Sequence, residues 1–227
     1  MGLDRLLGEL AIKLHPYTPF APYNTVWRFL DKRGQSILDV ACGGGTAMKL
    51  INKHKRFYAM GVDISKPCLC EAKKQKAHDD YILSDIRELP IKRKSFDIVL
   101  CLEVIEHFEK EEGHRLLEEM EGIARRQVII STPARLFPQH SPSGDNPYQE
   151  HRASWNPGEL RSYGYKVRGY GLPFVGGSRG LLARLPGPLN FIRKFIWILA
   201  STVSYFAPEL AGWMICVKRL KPENYHG

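Results

Sequence analysis

The segment that most constrains the fold is Ile37-Leu-Asp-Val-Ala-Cys-Gly-Gly-Gly-Thr46. A short apolar run with an aspartate is followed by three glycines and a helical pattern, which predicts a strand, a tight loop and a helix N-terminus. Such a loop lets backbone N–H groups approach a nucleotide-like ligand closely. The spacing is not Gly-x-Gly-x-x-Gly, and no Gly-Lys-Ser/Thr follows. Because Asp39 would repel phosphate, the segment favours a ligand with an amine, a sulfonium or a ribose.

The following residues alternate strands with helices. Further strand-like apolar runs cover residues 57–63, 95–101 and 127–133, and residues 80–90 suggest a strand that leads into an acidic loop. Helical patterns separate most of these strands. Alternation at this spacing predicts an α/β fold, in which a parallel sheet carries helices on both faces. A chain of 227 residues, with 44% hydrophobic and 25% charged residues, is large enough for one such domain with additions.

Carboxylates accompany the ends of the first three predicted strands. Asp39 belongs to the first, Asp63 ends the second, and Asp85 follows the third. In an open parallel sheet, ligands bind beyond the carboxyl ends of the strands. Asp63 can accept from both ribose hydroxyls, and Asp85 from an adenine amino group while Ile86 packs on the ring. One such aspartate is usually a cap or a turn residue, but three beside a glycine loop predict a nucleoside-binding edge.

The sequences VACGGGT, GVDIS, SDIRELP, FDIVLCLEVIEHF and VIISTP follow one another over residues 36–133. As a set they resemble the successive motifs of class I S-adenosylmethionine-dependent methyltransferases. The resemblance implies an enzyme with S-adenosylmethionine as its cofactor. It also implies a Rossmann-like seven-stranded sheet of order 3-2-1-4-5-7-6, with the last strand antiparallel.

The same resemblance assigns the cofactor site by position. The glycine loop would surround the amino acid part of the cofactor, and the end of the third strand would meet the adenine. At the end of the second strand, Asp63 would hold the ribose, with Ile64 against the adenine. The fourth strand end would line the site of methyl transfer. The implied cofactor-binding residues are Asp39, Ala41, Gly43, Gly44, Gly45, Asp63, Ile64, Ser84, Asp85, Ile86, Cys101 and Leu102.

The sequence Glu103-Val-Ile-Glu106-His107 carries candidate catalytic groups. If it is helical, its two carboxylates and its imidazole share one face and can bind a divalent cation, with His151 as a further ligand. This pattern resembles the metal-assisted quinone O-methyltransferases and small-RNA 3′-terminal methyltransferases. It also occurs in methyltransferases without a metal. We therefore expect Glu103, His107 and His151 to be catalytic without a metal, and keep a metal bound by these three and Glu106 as the alternative.

Two segments outside the motifs bear on the acceptor. Residues 1–34, with helices predicted over 3–14 and 24–33, suggest an N-terminal helical flap, and residues 35–227 the methyltransferase domain. Within that domain, residues 188–207 predict an inserted apolar helix, whose apolar run over residues 191–206 is shorter than the ~20 residues of a membrane span. An interfacial helix, a substrate lid, a dimer contact or a core helix would each explain it.

The stretch from Asn146 to Leu172 resembles a segment of uncharacterised methyltransferases that are associated with glycan or lipid biosynthesis. Our leading hypothesis is methyl transfer to a hydroxyl, or second to an amine, of a small or lipid- or sugar-linked molecule. One alternative is an RNA methyltransferase with metal-assisted 2′-O-methylation. Another is a cofactor-binding partner without catalysis.

Charge and cysteine content set the expected partners and compartment. A formal charge of +9 permits nucleic acid, anionic lipid or a phosphorylated substrate. Nucleic acid is disfavoured because no added RNA-binding module is visible. Five cysteines without a Cys-x-x-Cys pair predict reduced thiols, and the N-terminus lacks the apolar stretch of a signal peptide. We expect a cytoplasmic monomer or homodimer, with peripheral membrane contact through residues 189–206.

Overall fold

The computed structural model describes residues 22–134, 150–172 and 201–221. Their strands are β1 (Ser36–Val40), β2 (Tyr58–Asp63), β3 (Asp80–Leu83), β4 (Phe96–Leu102), β5 (Ala124–Pro133), β6 (Lys166–Tyr170) and β7 (Trp213–Arg219). They form one sheet of order β3-β2-β1-β4-β5-β7-β6. β1 to β5 pair in parallel, and β7 runs antiparallel to both of its neighbours. The predicted strand order and the antiparallel last strand are confirmed.

Helices cover both faces of the sheet, as predicted. They are α1 (Pro22–Phe29), α2 (Thr46–Ile51), α3 (Lys66–Lys74), α4 (Lys110–Ile123) and α5 (Pro157–Ser162). Successive side chains of a strand point to opposite faces, so Leu38 packs in a core cluster with Met120 of α4, and Ile37 in a second cluster with Met48 of α2. This double burial explains why the strand sequences are nearly continuous apolar runs.

The second helix of the predicted flap has different bounds from those expected. It covers Pro22–Phe29 instead of 24–33. Proline is accepted in a first helical turn, and beyond Leu30 a carboxylate oxygen of Asp31 accepts the N–H of Arg33 at 3.0 Å, which competes with further helix. Val26 is 1% exposed and packs in the second core cluster, so this part of the flap is fixed to the sheet. The predicted helix over 3–14 lies outside the described residues.

The predicted apolar helix over 188–207 is described only at its end. Residues 201–206 are helical, and a 3-10 turn follows at Pro208–Leu210. Residues 173–200 lie outside the described part of the chain, as do residues 135–149 of the long connection after β5. Within the described ranges, no helix has the length and apolar character needed to cross a membrane. All five cysteines are free thiols, as predicted.

Candidate active site

The loop after β1 is held tightly on one side and is open on the other. Ala41, Gly43 and Gly45 have φ values of 55°, 53° and 80°, in the left-handed region that favours glycine. A Cβ atom on Gly45 would lie 2.4 Å from the Cβ of Ala77. A Cβ on Gly43 would meet no atom of the described chain within 4 Å. The loop therefore packs through Gly45 against Ala77, just after α3, and against Ala72 within α3, and it leaves space for a ligand beside Gly43.

Asp63 connects this loop to the end of β2. Asp63 is only 7% exposed, and its Oδ2 accepts a hydrogen bond from the N–H of Gly43 at 2.8 Å. Its Oδ1 accepts the N–H of Ser65, also at 2.8 Å. A carboxylate has about four acceptor positions, so each oxygen can accept a further hydrogen bond. The structure thus fixes the Asp63 carboxylate directly beside the glycine loop.

Asp39 has a partner that the sequence did not predict. Its Oδ2 lies 2.8 Å from Nε2 of His78, and the two residues are 3% and 4% exposed. His78 lies in the loop before β3, outside all the motifs, so no sequence signal marked it. Asp39 is therefore held from inside the molecule and anchors the end of β1 below the glycine loop.

The two isoleucines expected near the adenine differ in exposure. Ile64 is 41% exposed, whereas Ile86 is 6% exposed and packs in the first core cluster. Asp85 caps the short turn that contains Ile86, and its ion pair with Arg87 lowers the pKa of its carboxyl group. Ser84 donates a hydrogen bond to the carbonyl of Asp85 at 3.3 Å. Of the two isoleucines, Ile64 offers the accessible apolar face.

The end of β4 places Cys101 and Leu102 differently. Cys101 is fully buried in the first core cluster, and burial raises the pKa of its thiol well above the usual range, with a further contribution from the charge of Glu106. Leu102 is half-buried and packs against the second cluster. The Cys101 side chain therefore faces the interior, so any contact that this residue makes at the edge comes from its backbone.

Glu103 lies in a polar cluster formed by the ends of three strands. Its Oε1 accepts hydrogen bonds from the hydroxyl of Ser131 on β5 at 2.6 Å and from Tyr170 on β6 at 3.1 Å. Burial raises the pKa of Glu103, and these two hydrogen bonds oppose the rise. Burial and the charge of Glu103 also raise the pKa of Tyr23 on α1. Sequence reasoning missed these partners, although a serine near the end of an otherwise apolar strand was a usable signal.

The predicted common face of Glu103, Glu106 and His107 is wrong. Glu103 has a φ of 58°, and the helical turn covers only Ile105–His107. The left-handed backbone at Glu103 breaks the helical path, so this side chain is directed toward Tyr170. Glu106 is 2% exposed and accepts from Thr132 at 3.0 Å. Burial, and next the charge of Glu103, raise the pKa of Glu106 to about 8.

Three of the four candidate metal ligands do meet. One ligand atom from each of Glu106, His107 and His151 lies within 4.8 Å of the other two. The two imidazole rings are 5.0 Å apart, and Nδ1 of His107 lies 3.1 Å from the carbonyl oxygen of Glu150. Burial lowers the pKa of His107, which favours its neutral form. Glu103 is not part of this group.

The segment that carries His151 is docked on the end of β4. The N–H groups of Arg152 and Ala153 donate to the carbonyl of Glu106 at 2.8 and 3.1 Å. The indole N–H of Trp155 donates to the carbonyl of Ile105 at 3.2 Å, and its ring is 1% exposed. These contacts hold His151 at the edge where Glu106 lies.

The motif region matches a known family. Residues 38–131 fit the family model described as "Methyltransferase domain". The same residues supply the glycine loop and the carboxylates described above, on a sheet of the predicted order. This part of the chain therefore has both the family match and the sheet order of a methyltransferase domain. The domain is 35% identical over 79 residues to the ubiquinone biosynthesis O-methyltransferase of Coxiella burnetii. The match covers 33% of each chain, so this chain spans about a third of the length of the curated relatives it matches.

Solved structures resemble the domain over nearly the whole chain. One belongs to the complex between the Haloferax volcanii Trm112 methyltransferase activator and a putative methyltransferase, with a TM-score of 0.60, 16% identity, and coverage of 96% of this chain and 94% of that one. Another is a possible histamine N-methyltransferase of Thermotoga maritima, with a TM-score of 0.57, 16% identity, and coverage of 96% and 98%. Similarities at this identity show the fold alone.

Proposed function

We propose that this chain transfers the methyl group of S-adenosylmethionine to a hydroxyl group of a small or lipid- or sugar-linked acceptor. The observation that carries the proposal is the Asp63 carboxylate held at 2.8 Å from the N–H of Gly43, beside open space. A nucleoside with a sulfonium group suits this site, because carboxylates can accept its hydroxyls and stabilise its positive charge. The methyltransferase-domain match supports the same donor.

In this proposal the carboxyl edge of the sheet binds the cofactor along its length. Asp63 holds the ribose hydroxyls and the exposed face of Ile64 packs on the adenine. The turn after β3 lies beside the adenine, and the end of β4 lies beside the methyl group. The full proposed set is Asp39, Ala41, Gly43, Gly44, Gly45, Asp63, Ile64, Ser84, Asp85, Ile86, Cys101 and Leu102.

Replacing Asp63 tests the donor site. Asp63→Ala should lower the affinity for S-adenosylhomocysteine at least ~100-fold, since it removes the proposed bonds to two hydroxyls, each worth about 1.5 kcal/mol or more with a charged acceptor. Asp80→Ala, an exposed carboxylate at the start of β3, is the matched control. Titration calorimetry measures both. Unchanged affinity in Asp63→Ala would refute the ribose role.

For the acceptor, we propose an oxygen nucleophile that is activated by Glu103, His107 and His151. An alcohol is a weak nucleophile, so it benefits from a nearby base or metal ion. The lowered pKa of His107 keeps this imidazole neutral and able to accept a proton. Several of the curated relatives that match are named ubiquinone biosynthesis O-methyltransferases, which supports oxygen over nitrogen.

A divalent metal ion is a second way to activate that oxygen. Glu106, His107 and His151 provide one carboxylate and two imidazoles within 4.8 Å, a donor set that suits first-row transition metals. Metal binding should be lost in His151→Ala and kept in His114→Ala, a half-exposed histidine beside Trp155 that is outside the group. Calorimetric titration of chelator-treated protein with Mn²⁺ decides between the two routes. If the wild type binds no Mn²⁺ and keeps its activity in chelator, histidine acts as the base.

The two alternatives, an RNA methyltransferase and a cofactor-binding partner without catalysis, gain no specific support. Exposed lysines and arginines precede β1, β2 and β4, such as Arg33, Arg56 and Arg93, and therefore lie at the edge opposite the proposed site. An RNA acceptor would need cations near Glu103. A cofactor-binding partner without catalysis would bind S-adenosylmethionine and form no S-adenosylhomocysteine. A screen over sugar, quinone, lipid and RNA acceptors measures the formation of this product directly.

A further inference from the structure

The segment that follows α3 lies against the glycine loop. The side-chain Nε2 of Gln75 donates to the carbonyl of Gly44 at 3.2 Å. Ala77 packs on the next glycine, because a Cβ atom on Gly45 would lie only 2.4 Å from the Cβ of Ala77. Residues 75–78 therefore contact the loop at two successive glycines before the chain turns into β3.

His78, the last residue of this segment, contacts the strand that leads into the loop. Its Nε2 lies 2.8 Å from Oδ2 of Asp39, and the two side chains are 0% and 5% exposed. Because a carboxylate only accepts hydrogen bonds, Nε2 of His78 is the donor. A hydrogen bond to a charged acceptor is stronger than one between neutral groups, and burial removes the competition from water. The bond therefore fixes the orientation of the Asp39 carboxylate.

Strand β2 leaves room for the imidazole ring. Gly61 pairs with Asp39 across the sheet, and a Cβ atom on Gly61 would lie 3.1 Å from Nδ1 and 3.2 Å from Cδ2 of His78. The same Cβ would lie 2.8 Å from Sγ of Cys42, the residue before the first glycine of the loop. The hydroxyl of Tyr81 accepts the backbone N–H of His78 at 3.0 Å. The ring thus fills the space over a glycine, next to the loop, and its backbone is held separately.

This pair gives the two oxygens of Asp39 different tasks. Within the described part of the chain, His78 is the side chain that donates to this carboxylate, and it uses Oδ2. We propose that His78 is a positioning residue for the methyl donor: by holding Oδ2 of Asp39, it keeps Oδ1 oriented to accept from the amino group of S-adenosylmethionine. This inference rests on the proposed function, which includes Asp39 in the cofactor site.

Two ligands separate this role from a general structural one. S-adenosylhomocysteine carries the amino group, whereas methylthioadenosine has the same adenine, ribose and sulfur without the amino acid part. The wild type should bind the first more tightly, and the ratio of the two affinities, measured by titration calorimetry, is the readout. His78→Leu should lower this ratio at least ~tenfold, because the Asp39 carboxylate is then free to rotate away from the amino group. A general distortion of the site would lower both affinities and leave the ratio unchanged.

Three further variants complete the test. His78→Gln should keep the ratio, because its amide N–H reaches the position of Nε2. His78→Asn, whose side chain is shorter, should lower the ratio as His78→Leu does, and it gives the decisive comparison if the leucine variant does not fold. Tyr81→Phe is the matched control, because it removes the hydroxyl that accepts from the backbone of His78 and donates to the carbonyl of Ala72 at 2.9 Å, but leaves the pair with Asp39 in place. It should lose stability in urea unfolding and keep the wild-type ratio.

The outcomes distinguish the positioning role from the proposed function. A wild type that binds neither ligand would refute the proposed function and this inference with it. A wild type that binds both ligands equally would refute the positioning role and leave the nucleoside site intact. An unchanged ratio in His78→Leu and His78→Asn, or an equal fall of the ratio in His78→Gln or Tyr81→Phe, would show that the hydrogen bond to Asp39 does not position the methyl donor.

Discussion

Replacing Gly45 with alanine should destabilise the protein more than Gly43→Ala does. At Gly45 the φ of 80° costs an alanine about 1–2 kcal/mol. The new Cβ would also lie 2.4 Å from the Cβ of Ala77 and 3.1 Å from that of Ala72, and such overpacking costs about 1–3 kcal/mol. After allowing about 0.5 kcal/mol for the lower entropy of the unfolded chain, the expected loss is about 2–4 kcal/mol.

Gly43→Ala shares the backbone strain but not the clash. Its φ is 53°, and within the described chain a Cβ there meets nothing within 4 Å. The expected loss of stability is therefore about 1 kcal/mol. The added methyl group would enter the space proposed for the cofactor, so the affinity for S-adenosylhomocysteine should fall at least ~tenfold, or about 1.4 kcal/mol.

Urea unfolding measures the loss of stability in both variants, and calorimetric titration measures their affinity for S-adenosylhomocysteine. For a domain of this size, each kcal/mol also lowers Tm by about 2–4 °C, which gives a second readout. Equal destabilisation by the two variants would show that the contact with α3 does not decide the cost. Full cofactor affinity in Gly43→Ala would show that the open space beside this glycine is not part of the binding site.

Two further predictions concern the end of β4. The pKa of Glu106 is about 8 in the folded protein and 4.5 for an ordinary glutamate, as in the unfolded chain. Between these two pH values the unfolded chain binds fewer protons, so the free energy of unfolding should fall as pH rises, by an amount on the order of a few kcal/mol. Glu106→Gln should remove this part of the slope in urea unfolding at pH 6 and 9 with chelator present; an unchanged slope would contradict the burial of a protonated carboxyl. Trp155→Ala should cost about 3–5 kcal/mol, since it empties a site where the ring is 1% exposed, whereas Trp155→Phe should lose mainly the indole bond to Ile105, about 1–3 kcal/mol. A Phe variant as unstable as the Ala variant would assign the loss to the hydrogen bond instead of the packing.

The arrangement of the sheet could be predicted from sequence because its information is local and repeated. β1, β4 and β5 are apolar runs whose two faces are both buried, so these runs are distinct in the sequence. The register of carboxylates at the strand ends follows from the parallel pairing itself. Asp63 could therefore be placed beside the glycine loop without knowledge of any side-chain contact.

The partners of these carboxylates could not be predicted, because they come from far along the chain. His78 reaches Asp39 across 39 residues, and Tyr170 reaches Glu103 across 67. No spacing rule connects such pairs. The left-handed backbone at Glu103 was equally hidden, since a glutamate carries no preference for a positive φ. The prediction of a shared helical face failed at that residue for this reason.

Sheet topology also changes what the net charge means. Because β1, β2, β4 and β5 are parallel, the segments that precede them meet at one edge, and the residues that follow them meet at the other. Within the described residues, several exposed bases lie at the edge opposite the proposed site, and the carboxylates Asp63, Asp85 and Glu103 lie at the edge of the site itself. A cationic sulfonium donor is attracted to such an edge, and a polyanion is repelled from it. A positive total charge thus gives no argument for an anionic acceptor at this site. Among the described residues, exposed bases of the opposite edge include Lys32, Arg33, Lys53, Lys55, Arg56, Lys92, Arg93, Arg125, Lys166 and Arg219.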